Sequence, residues 1–90
     1  MSTVRKLNES AMRGIYDAYM HEAFPPAELK PLAVMLRLME RGRYLCYGYY
    51  RNGRLAAYAF FYRHDSRVLL LDYFAVTPEL RGRGVGSAFL

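Results

Sequence analysis

Two patterns of apolar residues alternate along the chain, one recurring every three or four positions and the other running continuously. The first pattern predicts amphipathic helices and the second predicts strands. A first helix is predicted from an N-terminal cap at Asn8 to the Pro25-Pro26 pair, because two prolines disfavour its continuation. A second helix is predicted within residues 27–41, where Gly42 would end it. Pro31 is compatible only with the first turn of that helix, so residues 26–30 form a separate turn in one interpretation.

Strands are predicted on both sides of this helical region. A short extended segment covers residues 3–7, and three further strands cover residues 44–50, 55–63 and 68–76. The consecutive apolar residues 68–71 predict that the last strand is buried. Asn52-Gly53 is a strong signal for a two-residue hairpin turn, so a three-strand antiparallel meander is expected. With the helix start at residues 87–90, the order is β-α-α-β-β-β-α, which indicates a mixed α/β (α+β) fold.

Composition limits the classes of protein. Ninety residues with 53% hydrophobic content indicate one globular domain, residues 1–90. The net charge of +5 favours an anionic ligand such as a phosphorylated cofactor. No run of like charges supports nucleic-acid binding, and no apolar segment is long enough for a signal peptide or a membrane span. The single cysteine, Cys46, excludes an internal disulfide and is typical of the cytoplasm. It is expected to be a packed thiol.

A glycine-rich segment follows the last predicted strand, which Pro78 ends. Glycines at 82, 84 and 86 let the backbone approach a ligand closely, and the N–H groups at a helix start attract phosphate. The spacing differs from two known phosphate motifs. No lysine follows the glycines as in the nucleoside-triphosphate loop, and Phe89 stands where the dinucleotide motif needs its third glycine.

The pattern Arg-x-x-Gly-x-Gly, formed by Arg81, Gly84 and Gly86 after the strand end 75–78, resembles the coenzyme-A-binding motif of the GNAT family of N-acetyltransferases. The resemblance implies a GNAT-like fold, whose order of elements agrees with the one above. It also implies that acetyl-CoA is the cosubstrate. Because the family's domain continues with further strands and helices, the resemblance implies that this chain is an N-terminal portion, truncated at the C-terminus.

The same resemblance assigns the residues that hold the cofactor. Main-chain groups at the end of the last strand would hold the pantetheine arm, here at Phe74, Ala75 and Val76. The loop would hold the pyrophosphate through its amides, with two arginines adding charge. Its members here are Arg81, Gly82, Arg83, Gly84, Val85, Gly86 and Ser87.

The reaction implied is acetyl transfer to a primary amine of a small molecule or peptide, and it needs a base to deprotonate that amine. Asp72 is the only carboxylate within the last strand, and burial among apolar residues would make it a better proton acceptor. It is therefore the candidate catalytic residue. The alternative is an aspartate that faces solvent or pairs with an arginine. His21 and His64 lack the spacing of metal ligands, so no metal is expected.

The sequence is also compatible with two other functions. A small basic module could bind RNA or an acidic protein, although the aromatic motif of the common RNA-recognition domain is missing. A truncated remnant without activity could instead associate with another chain, or with its own copy, through an open strand edge.

Overall fold

The computed structural model describes residues 1–78. Within them, four strands form one antiparallel sheet in the order β1-β2-β3-β4. The strands are Ser2–Lys6 (β1), Tyr44–Arg51 (β2), Arg54–Arg63 (β3) and Leu69–Val76 (β4). Asn52 and Gly53 join β2 to β3 with φ angles of 53° and 79°, as a two-residue hairpin turn requires. The predicted meander is confirmed, and β1 extends it by pairing with β2.

The first helix is a continuous stretch over residues 9–23. It begins as an α-helix at Glu9–Ile15, widens to a π-helix at Tyr16–Met20 and closes with an α turn at His21–Ala23. Asn8 is the N-cap, since its side-chain oxygen accepts a hydrogen bond of 2.8 Å from the Ala11 amide. The sequence predicted this helix and its cap but not the π-helical turn.

The second helix is Leu32–Glu40. It begins only after Pro31, whose extended conformation (φ −59°, ψ 141°) leaves residues 27–31 outside the helix predicted within 27–41. The amides of Glu28 and Leu29 instead donate to the Pro25 carbonyl and form the separate turn. We call residues 24–31 the connecting loop. Gly42, with φ 70°, ends the helix as predicted.

Both helices pack on one face of the sheet, and the main core lies between the helices and that face. Its largest fully buried members come from both layers: Met12, Met20, Met35, Cys46, Tyr58 and Phe60. Each large side chain of this kind contributes about 1.5–3 kcal/mol by leaving water. Cys46 is a packed thiol, as predicted, and burial raises its pKa to about 12. It therefore stays protonated at neutral pH.

The beginning of β4 differs from the prediction. Leu69, Leu70 and Leu71 are 49%, 51% and 52% exposed, so the expectation of a buried strand start is wrong for this half. The reason is topological, because within residues 1–78 β4 is an outer strand that pairs with β3 alone. A run of apolar residues predicts a strand, but it does not indicate whether that strand lies in the middle or at the edge of the sheet.

Candidate active site

A β-bulge in β4 organises the site. Tyr73 lies opposite Phe60 and Leu71 lies opposite Phe61, so Asp72 is an extra residue between two paired positions. Side chains normally alternate between the two faces of a strand, but a bulge lets two consecutive side chains share a face. Asp72 and Tyr73 accordingly both reach the connecting loop on the helix-covered face of the sheet.

Asp72 carries the charge at this bulge. Its Oδ2 atom lies 2.9 Å from Lys30 Nζ in an ion pair, and it also accepts a short hydrogen bond from the Tyr44 hydroxyl. The Asp72 and Lys30 side chains are 23% and 34% exposed, so water reaches both. Burial, and then the hydrogen bond to Asp72, raise the pKa of Tyr44 well above its ordinary value. Tyr44 therefore remains a protonated donor that fixes the orientation of the carboxylate.

Two tyrosines anchor the connecting loop above Asp72. The Tyr73 hydroxyl donates to the Glu28 carbonyl at 2.6 Å and accepts from the Lys30 amide at 2.7 Å. From the first helix, the Tyr16 hydroxyl donates to the Lys30 carbonyl at 2.8 Å. Burial is the largest of the effects that raise the pKa of Tyr16, so this hydroxyl also keeps its proton. Both main-chain groups of Lys30 are thus fixed by side chains.

An open cavity of about 380 Å³ lies between the connecting loop and β4. Its size is within the range of small-molecule sites, and its lining combines apolar side chains with two acidic residues, Glu28 and Asp72, and one lysine, Lys30. The lining residues are Phe24, Ala27, Glu28, Leu29, Lys30, Pro31, Asp72 and Tyr73. The Tyr73 ring also faces a cation, because Lys30 Nζ lies 5.8 Å from its centroid. The chemistry of this lining suits a ligand that bears an amine.

A smaller cavity of about 130 Å³ lies at the other end of β4, lined by Tyr19, Glu22, Ala23, Tyr58, Val76, Thr77 and Pro78. Thr77 is buried here, and its hydroxyl oxygen lies 3.1 Å from the Ala56 carbonyl oxygen. The Thr77 amide also donates to this carbonyl, at 2.8 Å. These contacts fix the end of β4 against β3.

The predicted pantetheine residues are the last three of β4. The amide of Thr77 points toward β3, and main-chain groups alternate in direction along an antiparallel strand. The main-chain groups of Phe74 and Val76 therefore point to the outer edge of β4, and those of Ala75 point to β3. The predicted pyrophosphate residues, 81–87, lie outside the described residues, so their assignment stays a prediction.

Sequence reasoning missed three parts of this site. It gave no part in the chemistry to Lys30 or to Tyr44, and it named an arginine as the alternative partner of Asp72. One sequence signal for Lys30 was available, because it is the only lysine close to the three prolines of the connecting loop. Its pairing with a residue 42 positions away was not visible in the sequence.

Within residues 1–78, no helix is long and apolar enough to cross a membrane. The same residues contain no group of three or more acidic, histidine or cysteine side chains arranged to hold a metal ion.

Comparison with solved structures finds the same fold in several proteins. The ribosomal-protein-S18-alanine N-acetyltransferase of Escherichia coli matches with a TM-score of 0.70 and 24% identity, over 98% of this chain and 54% of that chain. A protein from Bacteroides thetaiotaomicron, assigned to the GNAT family, matches with a TM-score of 0.80 and 18% identity, over 97% of this chain and 51% of that chain. This chain therefore spans about half the length of these two relatives.

A third match is a protein from Clostridium acetobutylicum, described as an acetyltransferase and determined with acetyl-CoA. Its TM-score is 0.70 at 12% identity, over 99% of this chain and 68% of that chain. No curated protein matches the sequence significantly. The family model for GNAT acetyltransferases matches residues 10–90. Together with the confirmed mixed α/β fold, this match shows that the chain belongs to the GNAT acetyltransferase family.

Proposed function

We propose that this chain is the acetyl-CoA-binding part of an N-acetyltransferase that acts on a primary amine of a small molecule or peptide. One observation carries the proposal: at the bulge of β4, the carboxylate of Asp72 opens into the larger cavity and already binds a primary ammonium group, that of Lys30. A site that binds one primary ammonium group has the charge and geometry to bind another. The family membership supplies the reaction class.

The outer edge of β4 fits the pantetheine arm of acetyl-CoA. Main-chain groups of Phe74 and Val76 point to this edge, and the arm carries amide groups of the kind that pair with a strand. Acetyl-CoA supplies an activated acetyl group as a thioester. We assign the pyrophosphate to the loop 81–87, where amides and the two arginines provide donors and positive charge.

In this proposal Asp72 accepts a proton from the acceptor, because an ammonium group has no lone pair for attack. Tyr44 donates to Asp72 and so holds the carboxylate toward the cavity. The raised pKa of Tyr44 keeps that hydroxyl protonated, which makes it a positioning residue and leaves the role of base to Asp72. The Tyr73 ring forms the adjacent wall and favours a cationic acceptor.

Calorimetric titration with acetyl-CoA tests the cofactor assignment. We expect binding heat in the wild type and none in Gly84→Val, because a side chain at this position would fill the space assigned to the pyrophosphate. Gly14→Val is the matched control, since a Cβ atom at Gly14 meets nothing within 4 Å. It should bind as the wild type does. Unchanged binding in Gly84→Val would reject the loop assignment.

Turnover tests Asp72. We expect Asp72→Asn to lower the rate of acetyl transfer to added primary amines by about a hundredfold or more, as is typical when a positioned base is lost. Its affinity for acetyl-CoA should not change. Asp17→Asn, on the exposed side of the first helix, removes the same charge elsewhere and should keep the wild-type rate. A wild-type rate in Asp72→Asn would remove this residue from the mechanism.

A further inference from the structure

The ammonium group bound at Asp72 belongs to the chain itself. Lys30 Nζ lies 2.9 Å from Asp72 Oδ2, which is where the proposed function places the amine of an acceptor. We propose that Lys30 is an acetyl acceptor, so that the chain carries a self-acetylation site in its own connecting loop. This inference rests on the proposed function, because it uses the same base and the same acetyl donor.

The fold presents Lys30 to Asp72 through several independent contacts. Its amide is bound by the Tyr73 hydroxyl and its carbonyl by the Tyr16 hydroxyl, so its backbone is fixed from β4 and from the first helix. The next residue is Pro31, whose ring restricts the backbone further. The direction of the Lys30 side chain is therefore set by the loop and does not depend on the ion pair alone.

Lys30 is also accessible. Its side chain is 34% exposed, and it lines the larger cavity beside the Tyr73 ring. Asp72 lies two residues before Phe74, where the proposed pantetheine edge of β4 begins. The bulge thus brings a primary amine, a proton acceptor and the cofactor strand to one place. No other lysine has this combination, since the only other one in the sequence is Lys6.

The chemical step balances with acetyl-CoA as the only co-reactant. Asp72 takes one proton from the Lys30 ammonium and passes it to solvent, which leaves a neutral amine. A bond forms between Nζ and the acetyl carbonyl carbon, and the bond from that carbon to sulfur breaks. The second proton lost by the nitrogen goes to the departing thiolate. The products are Nζ-acetyl-lysine, coenzyme A and one released proton.

Acetylation would change the site that produced it. The Nζ charge would be lost, and with it the ion pair to Asp72 and the cation contact with the Tyr73 ring. Asp72 would keep the hydrogen bond from Tyr44 and could bind the ammonium group of an external acceptor. Lys30 would thus compete with external acceptors until it is modified.

Lys6 provides an internal comparison. It lies on β1, the opposite outer strand of the sheet, where its register partner is Tyr47 of β2, and it is exposed. A reagent that needs no binding site, such as acetic anhydride, should therefore modify Lys6 faster than Lys30, whose amine is held in an ion pair. Acetyl-CoA should reverse this order if Asp72 assists the reaction at Lys30.

The experiment measures acetyl occupancy at both lysines by mass spectrometry after the full chain is incubated with acetyl-CoA or with acetic anhydride. With acetyl-CoA we expect Lys30 to react faster than Lys6 by about a hundredfold, the lower end of the effect of a positioned base. Asp72→Asn should remove this preference, with circular dichroism as the check on its fold. With acetic anhydride we expect Lys6 to react first in the wild type and this difference to become smaller in Asp72→Asn, where the ion pair that holds the Lys30 amine is absent.

Two control variants complete the design. Lys6→Arg should leave acetylation of Lys30 unchanged. Lys30→Arg retains a positive charge beside Asp72 but no primary amine, and it should lose the site-specific acetylation while still binding acetyl-CoA in the calorimeter. This second readout does not depend on turnover.

Different results overturn different claims. Equal reaction of both lysines with acetyl-CoA, or an unchanged preference for Lys30 in Asp72→Asn, would overturn the self-acetylation site. Acetylation of an added amine without acetylation of Lys30 would also reject this inference but keep the proposed function. Absence of acetyl-CoA binding in the calorimeter would overturn both.

Discussion

The two halves of strand β4 have opposite environments. Leu69, Leu70 and Leu71 are about half exposed, although they are the most apolar residues of the strand. Tyr73 is only 6% exposed and Asp72 is partly buried, although both are polar. Between residues 69 and 73, side-chain polarity therefore predicts burial in the wrong direction.

The bulge explains the difference. Before it, the three leucines lie about half exposed on an outer strand of the described sheet. At the bulge, two consecutive side chains turn toward the connecting loop. The polar groups there are satisfied by partners: Asp72 by Tyr44 and Lys30, and the Tyr73 hydroxyl by two main-chain groups. Burying polar groups costs little when each has a partner, and this is how the Asp72 carboxylate is kept partly out of water.

The largest expected effect is the loss of the Tyr73 side chain. Tyr73→Ala should lower the free energy of unfolding by about 3 kcal/mol or more, because it leaves a cavity where a large aromatic ring was packed. Leu71→Ala, two residues earlier, should cost about 0.5 kcal/mol, as is usual for exposed positions. Urea denaturation of both variants measures the two values. Similar losses would show that the two halves of β4 do not differ as described.

Much of the fold was predictable because its signals are local. Asn8, Gly42 and the Asn52-Gly53 pair each fix the backbone within one turn of themselves, and the structure has a cap, a helix end and a hairpin at these positions. The second helix was placed less well, because a proline allows a helix start on either side of it. In this chain Pro31 remains extended and the helix begins after it.

The site was only partly predictable. Asp72 was chosen as the candidate catalytic residue because it is the only carboxylate within the last strand, and that role stays a prediction. Nothing near it in sequence marks a bulge. The ion pair with Lys30 and the hydrogen bond with Tyr44 join residues 42 and 28 positions apart. Such contacts depend on how the connecting loop crosses β4, which local propensity does not determine.

A smaller effect is expected when only the hydroxyl of Tyr73 is removed. Tyr73→Phe keeps the packed ring but leaves the Glu28 carbonyl and the Lys30 amide without their partner, at a cost of about 1 kcal/mol. Hydrogen exchange of the Lys30 amide should become faster. Tyr62→Phe, a matched deletion of a hydroxyl on β3, should leave that exchange rate unchanged. Unaltered exchange in Tyr73→Phe would show that the loop does not depend on this anchor.

The smallest effect on stability is expected at the exposed half of β4, where association should respond instead. Leu70 is 51% exposed, so Leu70→Lys should change the free energy of unfolding by less than about 0.5 kcal/mol. Exposed apolar residues on an outer strand favour pairing with another copy, and a lysine there opposes it. In sedimentation velocity experiments, we expect the wild type to associate as its concentration rises and Leu70→Lys to remain monomeric.

Val4 of β1 gives the matched control, since it is 56% exposed on the opposite outer strand of the described sheet. A single exposed valine among polar residues offers a smaller apolar area than three consecutive leucines, so Val4→Lys should leave the association unchanged. If both lysine variants reduced association equally, the contact would not be specific to β4. If neither lysine variant reduced association, the exposed leucines would not contribute to it. The two halves of β4 would then differ in side-chain burial but not in their effect on association.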